Sequence, residues 1–410
     1  MKLGWFQKLG PGLLYAGAAV GVSHLIQSTR AGADFGYQLV WAVVIAIVLK
    51  YPFFEFGPRY AAATGKNLLF GYQKIGKWSV VLFFVLTFLS MFVIQSAVTM
   101  VTAGIVAEVF NVNLPIWSIA ALVLGFCCLL LLVGKYQLLD KSMKFIIVLL
   151  SVSTISTFII ALFGDYDRQP EFLQLFSFNN HEHILFLIAL MGWMPAPFDI
   201  AVWHSIWTTE KQKTVGEKIT LKNTLFDFKI GYWATLILSL AFLGLGAVSF
   251  YGTGIELSGN GAIFTAQLLE IYTNNIGSWA YLIVAIAALT TMISTTLTCL
   301  DAQPRVMEVT TGLMFPTLKK IQKSYWIWLT ILSLGTVIII AFFATNMKTM
   351  IDFATAIAFL SSPLLAILNY LAITHSSVPK PYQPKLLLKI LSFIGIAFFI
   401  YFSLHYLVVM

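Results

Sequence analysis

The stretch at residues 10–41 reads GPGLLYAGAAVGVSHLIQSTRAGADFGYQLVW. It begins as an apolar membrane-spanning helix, but its middle contains Gly21, Ser23 and His24 among other small residues. Glycine-rich, polar backbone at mid-membrane depth is tolerated where it lines a cavity or lies buried in protein. Transporters with interrupted helices bind small solutes through the carbonyl and amide groups that such a break frees. We therefore expect residues 17–24 to be the unwound half of a substrate site, with a backbone carbonyl from Gly21 and the hydroxyl of Ser23.

The composition indicates an integral membrane protein and excludes a water-soluble domain. Of the 410 residues, 59% are hydrophobic and only 10% are charged. Apolar runs of about 20 residues, the length that crosses a bilayer, recur along the chain. No intervening loop is long enough to fold separately, so residues 1–410 are interpreted as one transmembrane domain. The cysteines Cys127, Cys128 and Cys299 lie in apolar runs and are interpreted as packing thiols.

The apolar runs predict eleven membrane spans. Their approximate bounds are residues 11–33, 38–58, 79–110, 116–134, 143–164, 184–208, 230–251, 278–300, 326–345, 350–373 and 386–408. When successive loops are assigned to alternate sides of the membrane, 21 of the 25 Lys and Arg residues fall on one side. By the positive-inside rule that side is cytoplasmic, so the N-terminus is predicted to be cytoplasmic and the C-terminus external. The basic residues thus set topology, and no nucleic-acid partner is expected.

Span 6 contains a second interruption. It reads HILFLIALMGWMPAPFDIAVWHSIW, in which Pro195 and Pro197 remove two backbone donors and prevent a continuous helix. Interruptions in spans 1 and 6, five spans apart, are typical of a 5+5 inverted repeat. The two breaks, at 17–24 and 192–198, are therefore expected to be partly non-helical and to meet at the centre. The predicted divisions of the chain are a first repeat at 1–164, a second at 184–373 and an additional span at 386–408.

Several groups of residues resemble motifs of one transporter family. They are GPG at 10–12, GYQLVW at 36–41, TGK at 64–66, and STTLT, AQ and VME between residues 294 and 308. These stretches resemble the Nramp (natural resistance-associated macrophage protein) family of proton-coupled divalent-metal importers. The resemblance implies an all-α integral membrane fold of the leucine-transporter type, with broken spans 1 and 6 meeting near the midplane.

The two site motifs of that family are absent from this chain. The span-1 motif Asp-Pro-Gly-Asn falls on GVSH at 21–24, so its carboxylate is missing and His24 stands at the place of a ligating Asn. The span-6 motif Met-Pro-His-Asn falls on APFD at 196–199, which places Ala196 at the Met position. A Met-Pro pair containing Met194 lies two residues earlier. The resemblance implies that methionine sulfur favours soft metals, so Ala196 predicts a harder ion such as Mg²⁺ or Mn²⁺ unless Met194 reaches the site.

Asp199 is the acid expected to bind the cation. It lies near the centre of span 6, where an unpaired charge costs about 3 kcal/mol. Its carboxylate can replace the missing span-1 ligand, or it can cap the second half-helix by accepting amide hydrogen bonds. Asp199 and Glu55 are the acids that the span assignment places inside the bundle. The imidazole of His24 can bind a metal, carry a proton or close a hydrogen bond between spans.

Lys50, Glu55, His204 and Thr355 are candidates for ion coupling or gating. Lys50 falls well inside span 2, where its ammonium can replace a coupling ion, pair with Glu55 or Asp199, or extend to the membrane surface. His204 lies one residue beyond the place of the family's second histidine, for which the resemblance implies a proton route. Thr355 stands where the family often has Gln, and it either helps to close the site or serves as a structural hydroxyl.

Together these features predict a secondary active transporter that carries a cation, a divalent metal ion above all, by alternating access. The expected surroundings are the lipid bilayer of a plasma or inner membrane. No obligate protein partner is expected, and no cofactor beyond the transported metal and a coupling proton. Two other classes remain open: a symporter of an amino-acid-like solute walled by Trp193, Phe198 and Trp203, and a receptor-like relative that does not transport. An enzyme is not expected, because the sequence has no nucleophile–base or HExxH pattern.

We predict that a cysteine placed in the loop around residues 209–229, in a cysteine-free background, is protected from a membrane-impermeant thiol reagent in intact cells. The lysines in and beside this loop favour the cytoplasmic side. A cysteine in the loop at 165–183 is the control and should react without permeabilisation. Labelling of the 209–229 position in intact cells would contradict the orientation.

Overall fold

The computed structural model describes residues 10–164, 166, 168–215, 219–317, 324–344 and 346–409, with the side chains of residues 134–147, 215, 276, 280 and 409 excepted. The α-helices are α1 (Pro11–Ala19), α2 (Thr29–Phe35), α3 (Val40–Thr64), α4 (Leu68–Ile75), α5 (Lys77–Val109), α6 (Ile116–Ala161), α7 (His181–Trp193), α8 (Ile200–Val215), α9 (Leu221–Ser249), α10 (Gly261–Ile276), α11 (Ala280–Met314), α12 (Tyr325–Phe342), α13 (Met347–Thr374) and α14 (Leu386–Val409). A π-helical segment, Ser23–Ser28, precedes α2, and two 3-10 helices lie at Pro170–Phe172 and Lys380–Tyr382.

Eight helices within the described ranges are long and apolar enough to cross a membrane. They are Val40–Thr64, Lys77–Val109, Ile116–Val133, Leu221–Ser249, Tyr281–Met314, Tyr325–Phe342, Met347–Thr374 and Leu386–Val408. Two shorter apolar helices, Val148–Ala161 and His181–Trp193, coincide with predicted span 5 and the first half of span 6. Large apolar side chains such as Val133, Phe342 and Val408 face outward, as a lipid-facing surface requires. The total of eleven spans stays a prediction.

Helix α6 differs from the prediction. The sequence predicts two spans, at 116–134 and 143–164, with a basic loop between them, but Ile116–Ala161 is one uninterrupted helix of 46 residues. The intervening segment is rich in straight-chain residues that favour helix and contains no proline, so backbone hydrogen bonding continues through it. Several lysines that contribute to the charge bias lie outside the described residues or side chains: Lys2, Lys8, Lys135, Lys141, Lys144, Lys218, Lys319, Lys320 and Lys323.

Both predicted interruptions are confirmed, and each is compact. Helix α1 ends at Ala19, and the backbone departs from helical geometry at Val20, where ψ is 79°. The π-helical segment begins three residues later, so the break is shorter than the predicted 17–24. In span 6, α7 ends at Trp193 and α8 begins at Ile200, with both prolines between them. Each broken span therefore consists of two half-helices joined by a few residues of freed backbone.

The half-helices pack against unbroken neighbours: α1 and α2 against α9, α8 against α3, and α7 against α13. Glycines bring the backbones into contact at these crossings. A Cβ added to Gly12 would lie 2.1 Å from the carbonyl oxygen of Asp227, and one added to Gly246 would lie 2.1 Å from that of Thr29. Small residues permit such close approach in membranes, where packing rather than hydrophobic force associates helices. Glycines thus hold the broken spans in place as well as interrupting them.

We expect Gly246→Ala to lower the Tm of the purified full-length protein, because the added methyl group would overlap the Thr29 carbonyl and displace α2 from α9. Gly125→Ala, in α6, is the matched control, since its Cβ would have no atom within 4 Å. There the higher helix propensity of Ala is worth about 1 kcal/mol in favour of the variant. Equal Tm values for the two variants would contradict the close packing of α2 on α9.

Candidate functional site

The two breaks meet, as the sequence predicts. The hydroxyl oxygen of Ser23 lies 3.4 Å from the carbonyl oxygen of Pro195. The hydroxyl of Ser28 lies 3.8 Å from the sulfur of Met194. Both contacts join span 1 to span 6 in the buried interior of the bundle. The freed backbone of the two spans therefore shares one region.

A cavity of about 30 Å³ lies between the breaks. Both broken spans, α5 and α11 contribute its walls, which are mostly apolar. The polar groups in the lining are the hydroxyls of Ser23 and Thr295 and the indoles of Trp193 and Trp203. Neither indole N–H has a hydrogen-bond partner in the part of the chain that the structure describes. A cavity of this size holds about two water molecules, so the centre is closed around a small space.

Asp199 borders a second cavity, of about 10 Å³, which adjoins the first at Ile94 and Pro197. Its carboxylate is buried, and neither oxygen accepts a well-formed hydrogen bond from the described residues. Three hydroxyl-bearing residues line the same cavity: Thr87, Ser90 and Ser361. The backbone amides of Asp199 and Ile200 lie near the carboxylate, so the ligand role of Asp199 and the alternative in which it caps α8 both stay predictions.

Lys50 is fully buried beside the break in span 6. Its Nζ donates to the carbonyl oxygen of Gly192 at 2.6 Å and to that of Ala196 at 3.2 Å, and it lies 5.3 Å from the ring centroid of Phe198. The alternatives in which Lys50 pairs with an acid or extends to the membrane surface are wrong. The physical reason is that the C-terminal end of α7 presents freed carbonyls, which attract a positive charge.

His24 connects span 1 to α9. Its Nε2 lies 3.0 Å from the carbonyl oxygen of Thr235, and its Nδ1 lies 2.7 Å from the hydroxyl oxygen of Ser23. Because a carbonyl oxygen only accepts, Nε2 carries the proton in the first contact. Both ring nitrogens are thus occupied, which favours the hydrogen bond between spans over the metal ligand. The carbonyl of Gly21 is occupied as well, since it accepts from the amides of His24 and Leu25 and starts the second half-helix.

Of the two candidates for the methionine position, Ala196 lines the central cavity. Met194 is buried with its sulfur against a hydroxyl of span 1. At this position the cavity is therefore lined by Ala196 and not by a methionine. Thr355 meets the break through its backbone, because its carbonyl oxygen lies against Gly192. The hydroxyl of Thr355 donates to the carbonyl oxygen of Asp352 within α13, in agreement with the structural alternative.

Glu55 and His204 belong to a polar and aromatic region around α1 and α3. Glu55 forms an ion pair with Arg59 and accepts a hydrogen bond from the hydroxyl of Tyr51 at 2.6 Å. The ring of His204 stacks on Tyr15 with centroids 5.6 Å apart. Neither ring nitrogen of His204 has a hydrogen-bond partner among the described residues. The coupling roles of Glu55 and His204 remain predictions.

Sequence reasoning missed a partly buried ion pair on the α2 side of the breaks. Arg30 donates to both carboxylate oxygens of Asp352, at 2.7 and 3.2 Å, and to the side-chain oxygen of Gln27 at 3.0 Å. Bidentate pairs of this kind are strong and directional. The signal in the sequence was a charged Arg30 inside an apolar span, but its partner lies more than three hundred residues away in the chain.

Two further buried acids contradict the expectation that Asp199 and Glu55 are the acids inside the bundle. Asp227 accepts from the backbone amides at the start of α1, and Asp301 binds Arg305. Both acids fall just outside the predicted apolar spans but inside helices that extend further than those spans. Helix length was underestimated because polar residues at helix ends find partners in neighbouring helices.

Comparison with known proteins agrees with this architecture. The family profile described as natural resistance-associated macrophage protein-like matches residues 12–409. The chain belongs to the Nramp-like family. An uncharacterized protein of Pasteurella multocida is 35% identical over 405 residues, which cover 98% of this chain and 92% of that protein. The divalent metal cation transporter MntH of Staphylococcus haemolyticus is 25% identical, over 73% of this chain and 69% of the transporter.

The fold of this Nramp-like chain is also found among solved structures. The crystal structure of a manganese transporter from Eremococcus coleocola matches with a TM-score of 0.72 and 14% identity, over 96% of this chain and 85% of that one. At this identity the likeness concerns the fold, which is the all-α leucine-transporter type. The shared fold and the family profile together identify the protein as an integral membrane protein of a transporter family.

This Nramp-like chain builds its centre without a cluster of typical metal ligands. Among the described residues, no group of three or more His, Cys, Asp or Glu side chains is placed to hold a metal ion. A cation at the centre is left with one carboxylate, hydroxyl and carbonyl oxygens, and water. These ligands suit hard, oxygen-preferring ions better than soft ones.

We expect His24→Ala to lower the Tm of the purified protein, because the buried hydrogen bonds of the imidazole to the carbonyl of Thr235 and the hydroxyl of Ser23 are lost, at a cost of about 1 kcal/mol each. Ser28→Ala is the control, since the hydroxyl of Ser28 makes only long contacts, of 3.4 and 3.8 Å. A His24→Ala protein with unchanged Tm that no longer binds Mn²⁺ would identify His24 as a ligand instead.

Proposed function

We propose that the protein is a secondary active transporter of a divalent metal cation, which works by alternating access and uses Asp199 as its anionic ligand. One observation carries the proposal. The Asp199 carboxylate is buried at the span-6 break and has no well-formed hydrogen bond to the described residues. A lone carboxylate at this depth costs about 3 kcal/mol or more. A cation bound beside it removes that cost.

The surroundings of Asp199 present oxygen atoms to such a cation. The hydroxyl of Ser90 donates to the carbonyl of Thr87 at 3.3 Å, and that of Ser361 donates to the carbonyl of Ala358 at 3.0 Å. Because these hydrogens are used within their own helices, the hydroxyl oxygens keep lone pairs for the cavity. The cavity of about 10 Å³ accommodates one water molecule or one ion. Mg²⁺ and Mn²⁺ suit a site with one carboxylate, neutral oxygens and retained water.

The names of the relatives support a metal cargo. One relative is a divalent metal cation transporter, and the matching crystal structure is that of a manganese transporter. We assign transport rather than catalysis to the chain. The proposal includes the repeats at 1–164 and 184–373, the additional span at 386–408 and eleven spans in all. It also includes a plasma or inner membrane location with a cytoplasmic N-terminus and an external C-terminus, and a proton as coupling ion.

A second candidate, symport of a small organic solute, is favoured by the central cavity. Trp193 and Trp203 line it, and their indole N–H groups have no partner in the described part of the chain. Such donors bind carboxylate or carbonyl oxygens, whereas they offer nothing to a cation. The apolar walls suit a hydrocarbon body, although the cavity must open beyond about 30 Å³ to admit one. Phe198, also predicted as a wall, packs on Phe54 instead.

We expect Asp199→Asn to reduce uptake of Mn²⁺ and Mg²⁺ into proteoliposomes at least tenfold, because the amide leaves the dication without an anionic ligand. The control is Glu210→Gln, the same chemical change at an acid on α8 that pairs with the exposed Lys213. Tm values of the purified proteins show whether each variant is folded.

The same proteoliposomes are tested with amino-acid-like carboxylates. Metal uptake that persists in Asp199→Asn, at equal protein incorporation, would overturn the assignment of Asp199 as the ligand. Carboxylate uptake by the wild type that Trp203→Phe abolishes, without any metal uptake, would establish the organic solute as the cargo.

A further inference from the structure

The break in span 6 leaves two carbonyl groups without backbone donors. In a continuous helix, the carbonyl of Gly192 would accept from the amide of residue 196, and that of Ala196 from the amide of Ile200. The chain leaves the helix after Trp193, and the amide of Ile200 donates to Pro197 at 3.3 Å instead. The two carbonyl oxygens converge on one point, which the ammonium of Lys50 occupies at 2.6 and 3.2 Å.

This point has the properties of a monovalent-cation site. It lies at the C-terminal end of α7, where the helix dipole attracts positive charge. The face of the Phe198 ring, 5.3 Å from Nζ, is a third attractive partner. Interrupted helices of transporters bind Na⁺ or H⁺ through freed carbonyls of this kind. Glu55 in α3 pairs with Arg59, and Asp352 in α13 pairs with Arg30, so neither acid pairs with Lys50.

We infer that Lys50 is a tethered cation that permanently fills a monovalent-cation site at the span-6 break. A free Na⁺ or K⁺ therefore does not bind there. The ammonium also fixes α3 to the broken part of span 6, so the two are expected to move as one body during transport. The inference concerns the ion that stabilises the scaffold and holds whether the cargo is a metal or an organic solute.

The variant Lys50→Ala, which removes the tethered ammonium, tests this inference. Lys50→Ala leaves the carbonyls of Gly192 and Ala196 facing an empty space of the length of a lysine side chain. The Tm of the purified full-length variant should fall below that of the wild type. Ethylammonium chloride should raise it again, because this small cation donates hydrogen bonds to the two carbonyls. Tetramethylammonium chloride, of equal charge but without N–H donors, should not.

Lys66→Ala is the matched control, since it removes a lysine that lies over the ring of Phe70 at the protein surface. Its Tm should respond equally to the two salts. The inference is overturned if Lys50→Ala has the Tm of the wild type, or if ethylammonium and tetramethylammonium act on it alike. A second measurement does not depend on the folding of that variant. The Tm of the wild type should be the same in NaCl and in N-methylglucamine chloride, and a Na⁺-specific increase would show that a free ion supplies the charge.

Discussion

The structure depends on one constraint: inside a membrane, every backbone carbonyl and amide that a helix break frees must find a partner in the protein. Two spans of this chain are broken at the same depth, and the partners come from side chains of unbroken helices. Lys50 of α3 takes the carbonyls at the end of α7. The hydroxyl of Thr295 in α11 donates to the carbonyl of Gly17. The surrounding helices are therefore required for the breaks to exist.

The backbones of the half-helices contact those of their neighbours at glycines, where no space remains for a side chain. Charged side chains also hold them in place. Asp227 accepts from the amides at the start of α1, and Asp352 holds Arg30 in α2. Two small adjoining cavities lie between the half-helices. A half-helix that moves must therefore leave a polar contact as well as a packed surface.

The two cavities differ in chemistry although they share two wall residues. The lining beside Asp199 includes a carboxylate and hydroxyl-bearing residues, whereas the lining between the breaks includes Trp193 and Trp203, whose indole N–H groups have no partner among the described residues. The scaffold is that of the Nramp-like family, but other residues replace the family's two site motifs at both breaks. A fold of this kind hosts different cargoes according to the side chains at its centre. Among the described residues, Lys50 and Asp199 are the charged side chains at the span-6 break.

The sequence alone determined the class of the protein, because apolar run length, proline pairs and glycines act locally. It predicted an all-helical membrane protein, both interruptions and the meeting of spans 1 and 6. It also singled out Asp199 and Lys50, because a charge within an apolar run is conspicuous. The partners of these charges were decided by the tertiary structure. Whether Lys50 faces an acid, a carbonyl or lipid depends on how α3 is rotated against α7, and that rotation follows from packing between residues far apart in the chain. The pairing of Arg30 with Asp352 likewise depends on packing between distant helices. The backbone conformation of the break decides whether Met194 or Ala196 lines the cavity.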